Sequence, residues 1–303
     1  MATELDEILS DVGAYFSVGD TDNAVSILFE AARDYPAPQD DLAIVSFMYG
    51  YCRSLWEAHR IDEARLLSNA VLVEALSQTG KAVESDFLDL YTTALAETGS
   101  SPLPVKRLFR HRNLLRVFAR VNDLETGDVV ECGCARGLSA LQLALSYSQR
   151  RPGWQGEGLH VFDSFAGLSE PGAEDATDLT NADPFLTANM QRGRFAVPLE
   201  LVSRNLQTRF PRIELHAGWI PAVFSGEAER RYRFVHIDVD LYQPTNDSLA
   251  YFFPRLVEGG IVVTDDYNWP GAKTAFDKFA RKNSIQLNTT ETDQAYFVKG
   301  GLK

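Results

Sequence analysis

Short apolar runs rich in valine and isoleucine alternate with helical stretches from Val105 to the end of the chain. Most of these runs stop at a glycine or an aspartate, as buried strands do. The alternation predicts an α/β fold with a doubly wound, mostly parallel sheet and helices on both faces. The predicted strands are 128–132, 159–162, 213–217, 234–237, 261–264, 284–287 and 294–298, and the predicted helices are 105–121, 139–149, 198–209, 245–256 and 272–282. Such sheets bind ligands at the carboxyl ends of their strands.

The front of the chain has a different pattern, with apolar residues at helical spacing and no strand-like runs. Small residues and a proline recur there with the spacing of the second half of a tetratricopeptide repeat. These positions are Gly19, Ala24, Ala31 and Pro36, with a weaker echo at Ala64. We therefore predict a smaller helical-hairpin domain over residues 1–98 and a second domain over residues 105–303, separated by a turn-rich segment.

The composition limits the partners of the chain. Its 303 residues are 45% hydrophobic, which is enough to bury a core, and acidic side chains outnumber basic ones by 42 to 29. The net charge of −13 has the wrong sign for binding phosphates, so we expect neither nucleic acid nor an anionic membrane as a partner. The first residues lack the pattern of a secretion signal, and three cysteines make no disulfide framework. We expect a cytoplasmic protein.

The first polar cluster follows the strand 128–132. Glu131, Gly133 and Gly137 lead into a helix that includes Ser139. Glycines allow a backbone to approach a ligand closely, and the amides that open a helix favour a carboxylate or a phosphate. The two glycines are four positions apart, unlike the dinucleotide spacing G-x-G-x-x-G, which disfavours a nicotinamide cofactor. A tight turn without a ligand would use the same residues.

Asp163 comes directly after the next predicted strand. A carboxylate in this position can accept hydrogen bonds from both hydroxyls of a ribose, as in other nucleoside-binding sheets. An aspartate that caps a helix or stabilises a loop would have the same sequence signature.

Two acidic pairs follow two later strands. Asp238 and Asp240 come after the strand 234–237, and Asp265 and Asp266 come after the strand 261–264. The segment between them has room for one helix and the return strand, so the carboxylates should meet at neighbouring strand ends. Clustered carboxylates repel one another unless a cation neutralises them, and an all-oxygen set suits Mg²⁺. Solvated loop residues and helix caps are the alternative.

With these residues identified, the chain resembles the macrocin O-methyltransferase family. The motifs are Gly127 to Gly133, Phe162 to Leu168 followed by Glu170 and Pro171, His236 to Tyr242, and Pro254 to Gly260 running on to Asp265, Asp266, Tyr267 and Pro270 to Ala272. The resemblance covers about residues 105–300 and implies the Rossmann-like sheet of the class I methyltransferases. It also implies a metal-dependent enzyme that transfers a methyl group from S-adenosylmethionine to a hydroxyl, commonly on a sugar of a natural product.

The resemblance assigns roles to particular residues. It places the metal ligands at Asp238, Asp265 and Asp266, and the general base at Asp238. The implied cofactor contacts are Glu131, Gly133, Ser139, Asp163 with its neighbour Ser164, Gly218, Trp219 and Asp238. The related catechol O-methyltransferases carry a lysine three positions after the first metal aspartate, where this chain has Leu241, so a carboxylate, a water or the metal must take the proton instead.

The leading hypothesis is therefore a Mg²⁺-dependent O-methyltransferase that acts on a sugar or another vicinal diol, as a homo-oligomer that the helical domain could hold together. The long acidic stretch Ser169 to Ala196 could be a substrate lid or a surface insertion. A second hypothesis is an adaptor whose helical repeats bind a protein and whose methyltransferase domain is vestigial. A Rossmann oxidoreductase is the third, and the glycine spacing opposes it.

Overall fold

The computed structural model describes residues 83–100, 105–124, 126–175, 190–224 and 230–301, with a few isolated positions before residue 73. The chain divides into two units, Met1–Leu108 and Phe109–Lys303. The repeat-like positions Gly19, Ala24, Ala31, Pro36 and Ala64 lie outside the described residues, as does the middle of the predicted lid. Within the described ranges, no helix is long and apolar enough to cross a membrane.

Helices α1 (Ser85–Thr98) and α2 (Val105–Ala119) precede the sheet in sequence. Helix α1 ends where Gly99 adopts a left-handed conformation with a φ of 59°, and the amides of Gly99 and Ser100 donate to carbonyls of the last turn. A glycine in this conformation is a common helix stop, because it has no Cβ to clash. The turn-rich segment therefore ends the helix at the residue where the sequence predicts it.

The second unit is built around a seven-stranded sheet. Its strands are β1 (Asp128–Cys132), β2 (Leu159–Asp163), β3 (Glu214–Ala217), β4 (Tyr232–Ile237), β5 (Leu256–Thr264), β6 (Asn288–Thr289) and β7 (Ala295–Val298). Their order is β3-β2-β1-β4-β5-β7-β6, parallel from β3 to β5, with β7 antiparallel to β5 and to β6. The strand order reverses between β1 and β4. The predicted doubly wound α/β sheet is confirmed.

The described part of the unit also contains four longer helices: α3 (Leu138–Arg150), α4 (Leu199–Gln207), α5 (Tyr242–Phe252) and α6 (Pro270–Asn283). The core between sheet and helices contains completely buried aromatic side chains, among them Phe162, Phe252, Phe276 and Phe297. Full burial of a side chain of this size contributes about 1.5–3 kcal/mol, so these contacts fix the positions of the strand ends.

Several predicted boundaries are wrong, among them the start of β5, which begins at Leu256 and not at residue 261. Residues 284–287 do not form a strand, because Ser284 takes a left-handed conformation that closes α6, and the short strand β6 begins at Asn288. The predicted helix 245–256 begins earlier, at Tyr242, and ends at Phe252. A 3₁₀ turn containing Pro254 follows it, and β5 begins at Leu256.

Candidate active site

The carboxyl ends of β1 and β4 approach each other where the strand order reverses. Gly133 follows β1 with a φ of 79°, and a Cβ here would collide with the backbone carbonyl of Asp238, which follows β4. The amide of Asp238 donates to the carbonyl of Cys132 at 2.8 Å. Glycine is thus required by the close approach of two backbones. Loops at such a switch point are where α/β sheets bind their ligands.

Asp163, at the carboxyl end of β2, joins two of these loops. Its Oδ2 accepts a hydrogen bond from the amide of Cys134 at 2.8 Å, and its Oδ1 accepts one from the amide of Phe165 at 2.7 Å. The carboxylate is therefore fixed beside the glycine loop after β1. Each of its oxygens has a second lone pair, which leaves acceptor capacity for a ligand.

The predicted residues beyond β2 and β3 lie on the same edge of the sheet. The amide of Gly218 donates to the carbonyl of Asp163 at 2.9 Å, and Trp219 beside it keeps 43% of its surface exposed. The hydroxyl of Ser164 donates to the carbonyl of Gly167 at 2.8 Å, so it closes the turn of its own loop. An exposed indole beside a fixed carboxylate provides a flat apolar surface for an aromatic ring.

Glu131 lies inside the sheet, beneath the glycine loop. It is completely buried, and its Oε1 is 2.9 Å from Nδ1 of the equally buried His236, its neighbour across β1 and β4. The hydroxyl of Ser139 also hydrogen-bonds to this carboxylate. Burial raises the pKa of Glu131, and its Oε2 has no hydrogen-bond partner among the described residues.

His236 connects Glu131 to the acidic residues at the end of β5. Its Nε2 is 3.1 Å from Oδ1 of Asp265, so each ring nitrogen faces a carboxylate. Burial alone would lower the pKa of His236, but Asp265 and Glu131 raise it well above its ordinary value. The raised pKa favours the charged imidazole, which lies within ion-pair distance of both carboxylates and hydrogen-bonds to Glu131 through Nδ1.

Asp265 is buried and has three partners. Besides His236, the side-chain amide of Gln294 donates to its Oδ1 at 2.7 Å, and Nε of Arg110 lies 3.4 Å from its Oδ2. Burial would raise the pKa of Asp265, but His236 and Arg110 outweigh it and hold the pKa below its ordinary value. Asp265 is therefore ionised, and its Oδ2 has no hydrogen-bond partner in the described part of the chain.

Asp266 links the other two acids. Its side chain hydrogen-bonds to the carboxyl groups of Asp238 and Asp240, and its Oδ2 also accepts from the amide of Asp240 at 2.8 Å. Burial, together with Asp240 and Asp238, raises the pKa of Asp266 well above its ordinary value. Burial and Asp238 raise the pKa of Asp240 to about 7. Adjacent carboxyl groups cannot all ionise without a cation, so they share protons.

Two of the three predicted metal ligands, Asp238 and Asp265, lie together, whereas Asp266 hydrogen-bonds to Asp238 and Asp240 and is not part of that group. Asp238 and Asp265 offer oxygens within 4.8 Å of each other, in a group that also contains His236. In this group His236 offers a ring nitrogen, and Asp238 and Asp265 offer carboxylate oxygens. Oxygen donors of this kind, with one buried oxygen of Asp265 left without a hydrogen bond, fit a hard divalent cation.

Three residues of this site received no role from the sequence: Arg110, His236 and Gln294. Arg110 comes from α2 and Gln294 from the turn before β7, both far in sequence from the strand ends. The one available signal for Arg110 was the basic run 106–112, which is unusual in a chain with a net charge of −13. The structural role of His236 depends on the register of β1 and β4, which cannot be deduced from local sequence.

Asp175 differs from the role expected of the acidic stretch 169–196. It is 2% exposed, and its Oδ1 accepts from the amide of Tyr242 at 2.7 Å, at the start of α5. Its Oδ2 accepts from the amide of Gly172 at 2.8 Å. This part of the stretch is therefore fixed to the start of the helix that follows Asp238 and Asp240.

Residues 80–299 match the model of the macrocin O-methyltransferase (TylF) family, and they carry the whole of this strand-end site. The chain belongs to the macrocin O-methyltransferase family. The resemblance read from the separated motifs is confirmed, and the match begins earlier than residue 105, so it includes helix α1. Membership in a methyltransferase family opposes the oxidoreductase hypothesis.

Two named enzymes illustrate the similarity. The chain is 30% identical over 171 residues to 8-demethyl-8-(2,3-dimethoxy-alpha-L-rhamnosyl)-tetracenomycin-C 4'-O-methyltransferase of Streptomyces olivaceus, covering 55% of this chain and 63% of that enzyme. It is 25% identical over 244 residues to mycinamicin III 3''-O-methyltransferase of Micromonospora griseorubida, covering 76% of this chain and 91% of that enzyme. The first alignment thus spans less than two thirds of its relative.

Solved structures share the fold of this family member. The O-methyltransferase NovP superposes with a TM-score of 0.53 at 25% identity, covering 66% of this chain and 81% of that chain. A calicheamicin methyltransferase superposes with a TM-score of 0.51 at 20% identity, covering 73% of this chain and 95% of that chain. The sheet is therefore of the Rossmann-like class I methyltransferase type.

Proposed function

We propose that this protein is an S-adenosylmethionine-dependent O-methyltransferase that methylates a hydroxyl of a sugar or another vicinal diol on a natural product. The observation that carries the proposal is the grouping of Asp238 and Asp265 with His236 at the strand ends beside the glycine loop after β1, with Asp266 hydrogen-bonded to Asp238. Family membership supports the reaction class.

Most of the proposed cofactor contacts are residues on the loops after β1, β2 and β3. Gly133 allows the loop after β1 to lie close to the backbone of Asp238. Asp163 offers acceptor oxygens for ribose hydroxyls, and Trp219 offers a flat surface for adenine. The other five proposed contacts are Asp238, after β4, and four residues that stabilise these loops, Glu131, Ser139, Ser164 and Gly218. S-adenosylmethionine would supply a methyl group bonded to a sulfonium sulfur, and the neutral thioether released on transfer is an excellent leaving group.

The proposed metal ligands are Asp238, Asp265 and Asp266. Their oxygens suit Mg²⁺, and the pKa directions of Asp238 and Asp266 are those of acids that lack a sufficient counter-charge. His236 and Gln294 orient Asp265. A divalent cation would supply Lewis acidity that favours loss of a proton from a nearby hydroxyl.

Asp238 is the proposed general base. Its carboxylate lies in the acidic group at the end of β4, where it could accept the proton of a nearby hydroxyl. Leu241, where the catechol enzymes have lysine, is buried and has no titratable group. The remaining contribution of the chain is to align hydroxyl, methyl carbon and sulfur, which can lower a barrier by up to about 7–11 kcal/mol.

The proposed acceptor rests on the relatives. One is named for the 4'-O position of a rhamnosyl tetracenomycin and another for the 3'' position of mycinamicin III. Both names describe O-methylation of a decorated natural product. The net charge of −13 also favours a neutral acceptor over a phosphorylated one.

Two measurements test the proposal. The first is isothermal calorimetry with S-adenosylhomocysteine, and the second is transfer of a labelled methyl group to a panel of glycosides and catechols. We expect cofactor binding, and turnover that a chelator stops and Mg²⁺ restores. Asp238→Asn should lower kcat/KM by about 10²–10⁴-fold, because it removes a proton acceptor. Asp265→Asn and Asp266→Asn should raise the Mg²⁺ concentration needed for turnover.

Asp247→Asn is the matched control, since it makes the same change on helix α5, where Asp247 accepts a local hydrogen bond from Gln243 at 2.9 Å. It should leave turnover unchanged. Absence of S-adenosylhomocysteine binding would overturn the proposal. Chelator-resistant turnover, or full activity in both Asp265→Asn and Asp266→Asn, would overturn its metal-dependent part.

A further inference from the structure

A second group of metal-ligating side chains lies on strands β2 and β3, away from the acidic residues. Its members are His160, Glu214 and His216. His160 Nδ1 is 3.2 Å from His216 Nε2 and 3.6 Å from Glu214 Oε2, and the last two atoms are 3.9 Å apart. The register pairs His160 with Glu214 across the two strands, and His216 lies two positions further along β3. The three side chains therefore share one face of the sheet.

These distances fit one ion. Zinc binds histidine nitrogen at about 2.0–2.1 Å and carboxylate oxygen at about 2.0–2.2 Å, so two ligands of a tetrahedral site lie about 3.3–3.5 Å apart. The separations of 3.2, 3.6 and 3.9 Å bracket that value and need only small side-chain adjustments. Two imidazoles and one carboxylate also form a donor set typical of Zn²⁺ and unfavourable for Mg²⁺.

The surroundings prepare His160 for this role. Asp128 Oδ2 lies 3.1 Å from Nε2 of His160, which is completely buried. A proton on Nε2 that is donated to Asp128 leaves Nδ1 with its lone pair toward His216 and Glu214. A carboxylate that fixes the tautomer of a ligating histidine is the usual support of a zinc site. His216 is also held in place, because its ring stacks on Phe162 at a centroid distance of 4.2 Å.

The site is reachable from solvent. His216 is 19% exposed and Glu214 is 44% exposed, and β3 is the edge strand of the sheet. Arg230 lies near both carboxylates, with NH1 3.2 Å from Asp128 Oδ2 and NH2 3.4 Å from Glu214 Oε2. Its NH1 is also 2.9 Å from His160 Nε2 and can donate to that nitrogen when the imidazole proton is on Nδ1 instead. A metal-free hydrogen-bonded cluster is thus the competing arrangement.

We propose that His160 Nδ1, His216 Nε2 and a Glu214 carboxylate oxygen bind a divalent transition metal, with Zn²⁺ as the best fit. The ion joins edge strand β3 to β2, and its fourth position faces solvent. The role is structural: the ion holds the strand that precedes Gly218 and Trp219. The proposal does not depend on the methyltransferase chemistry.

The test is a Zn²⁺ titration of the full chain after removal of metals with a chelator, using a chromophoric competitor and excess Mg²⁺ to occupy hard sites. Co²⁺ replaces Zn²⁺ in a parallel titration, because its visible absorption reports tetrahedral coordination. We expect one equivalent of each ion to bind. Glu214→Gln and His216→Gln should each weaken Zn²⁺ binding by at least about tenfold, and Asp128→Asn by about 10–100-fold.

Glu157→Gln is the matched control. Glu157 is 44% exposed like Glu214 and likewise pairs with an arginine, Arg212, at 3.0 Å, but it does not belong to the histidine-containing group. It should bind Zn²⁺ as the unchanged protein does. Thermal melts will test whether each variant is folded. Zn²⁺ should raise the Tm of the unchanged protein and of Glu157→Gln, and of none of the other variants. The proposal would be overturned if the unchanged protein did not bind Zn²⁺, or if Glu214→Gln and His216→Gln bound Zn²⁺ as tightly as the unchanged protein.

Discussion

The guanidinium of Arg110 brings a positive charge close to four carboxyl groups, those of Asp238, Asp240, Asp265 and Asp266. These acids raise the pKa of Arg110 above its ordinary value, although burial alone would lower it. Together with cationic His236, Arg110 compensates part of the negative charge before any metal binds. The acids can therefore be close together in the folded protein without complete neutralisation by a divalent ion.

The variant Arg110→Met separates the charge compensation by the guanidinium from the compensation by a bound metal ion. Without the guanidinium the cluster is more negative, so we expect Mg²⁺ to bind about tenfold more tightly in calorimetry. The free energy of unfolding without Mg²⁺ should fall by about 1–3 kcal/mol, less than for a fully buried pair because Arg110 is 28% exposed. Arg116→Met, at an exposed position of the same helix, should change neither quantity. Weaker Mg²⁺ binding in Arg110→Met would contradict this account.

Gly133→Ala tests the close approach of β1 and β4. A left-handed alanine costs about 1–2 kcal/mol, and the collision with the carbonyl of Asp238 adds about 1–3 kcal/mol. Gly153→Ala is the control, because Gly153 has a similar φ of 88° and an added Cβ there would meet no atom within 4 Å. Chemical denaturation should therefore show the larger loss for Gly133→Ala. Equal losses would mean that the two backbones separate easily.

At the scale of elements, the start of helix α5 is fixed by a residue from another part of the chain. Leu241 precedes the helix without a side-chain cap of its own, and Asp175 accepts from the first amide, that of Tyr242. Gly271, at the start of α6, permits this contact because a Cβ there would meet Asp175. The loop that bears Asp238 and Asp240 is thereby connected to the first turns of two helices.

Asp175→Ala should lower the free energy of unfolding by about 1–2 kcal/mol, because it leaves the amides of Tyr242 and Gly172 without their acceptor. Glu174→Ala is the neighbouring control. Glu174 is 40% exposed and pairs with Lys278 at 3.5 Å, so its loss should cost at most about 0.5 kcal/mol. Urea denaturation measures both, and similar losses would refute the capping role.

Helix α6 carries a pair with a defined pH dependence. Burial would raise the pKa of Asp277, but hydrogen bonds from Lys273 and Tyr267 lower it below its ordinary value. The stabilisation is therefore present above pH 3.8 and is lost as the pH falls through the lower folded pKa. At pH 7 Asp277→Asn should cost about 0.3–0.5 kcal/mol, and the difference from the unchanged protein should shrink below about pH 4. A constant difference across this acidic range would contradict the assignment.

The sequence predicted the positions of helices and strands better than it predicted which side chains contact one another. The strands 128–132 and 159–162 and the acids that follow β4 and β5 are local signals, because burial and strand termination leave a trace in neighbouring residues. The start of α5 and the position of β6 were missed, because Asp175 and Ser284 set them through a distant contact and a left-handed turn. The partners of Asp265 come from α2 and the loop before β7, and no local pattern connects them.

For the whole molecule, the net charge of −13 favours binding of cations at every cluster of donors. The acidic cluster at the ends of β4 and β5 offers oxygen ligands, whereas the group on β2 and β3 offers two imidazoles. The two proposed sites share no residue and select ions of different hardness. We therefore expect them to act independently on stability.

Mg²⁺ and Zn²⁺ should each raise the Tm of the unchanged protein, and their effects on the free energy of unfolding should add. At a hundredfold excess over Kd each ion contributes about 2.7 kcal/mol. Asp265→Asn should remove only the Mg²⁺ effect and Glu214→Gln only the Zn²⁺ effect in thermal melts. Loss of both effects in either variant would show that the two sites are coupled.

The bond from Gln294 to Asp265 spans 29 residues and forms across the antiparallel pairing of β7 with β5. During synthesis on the ribosome, all four acids of the cluster emerge before the amide that orients one of them. A nascent chain that has already folded β1 to β5 therefore has the carboxylates in place but not their final geometry. Catalytic competence would then be acquired only when the hairpin of β6 and β7 docks.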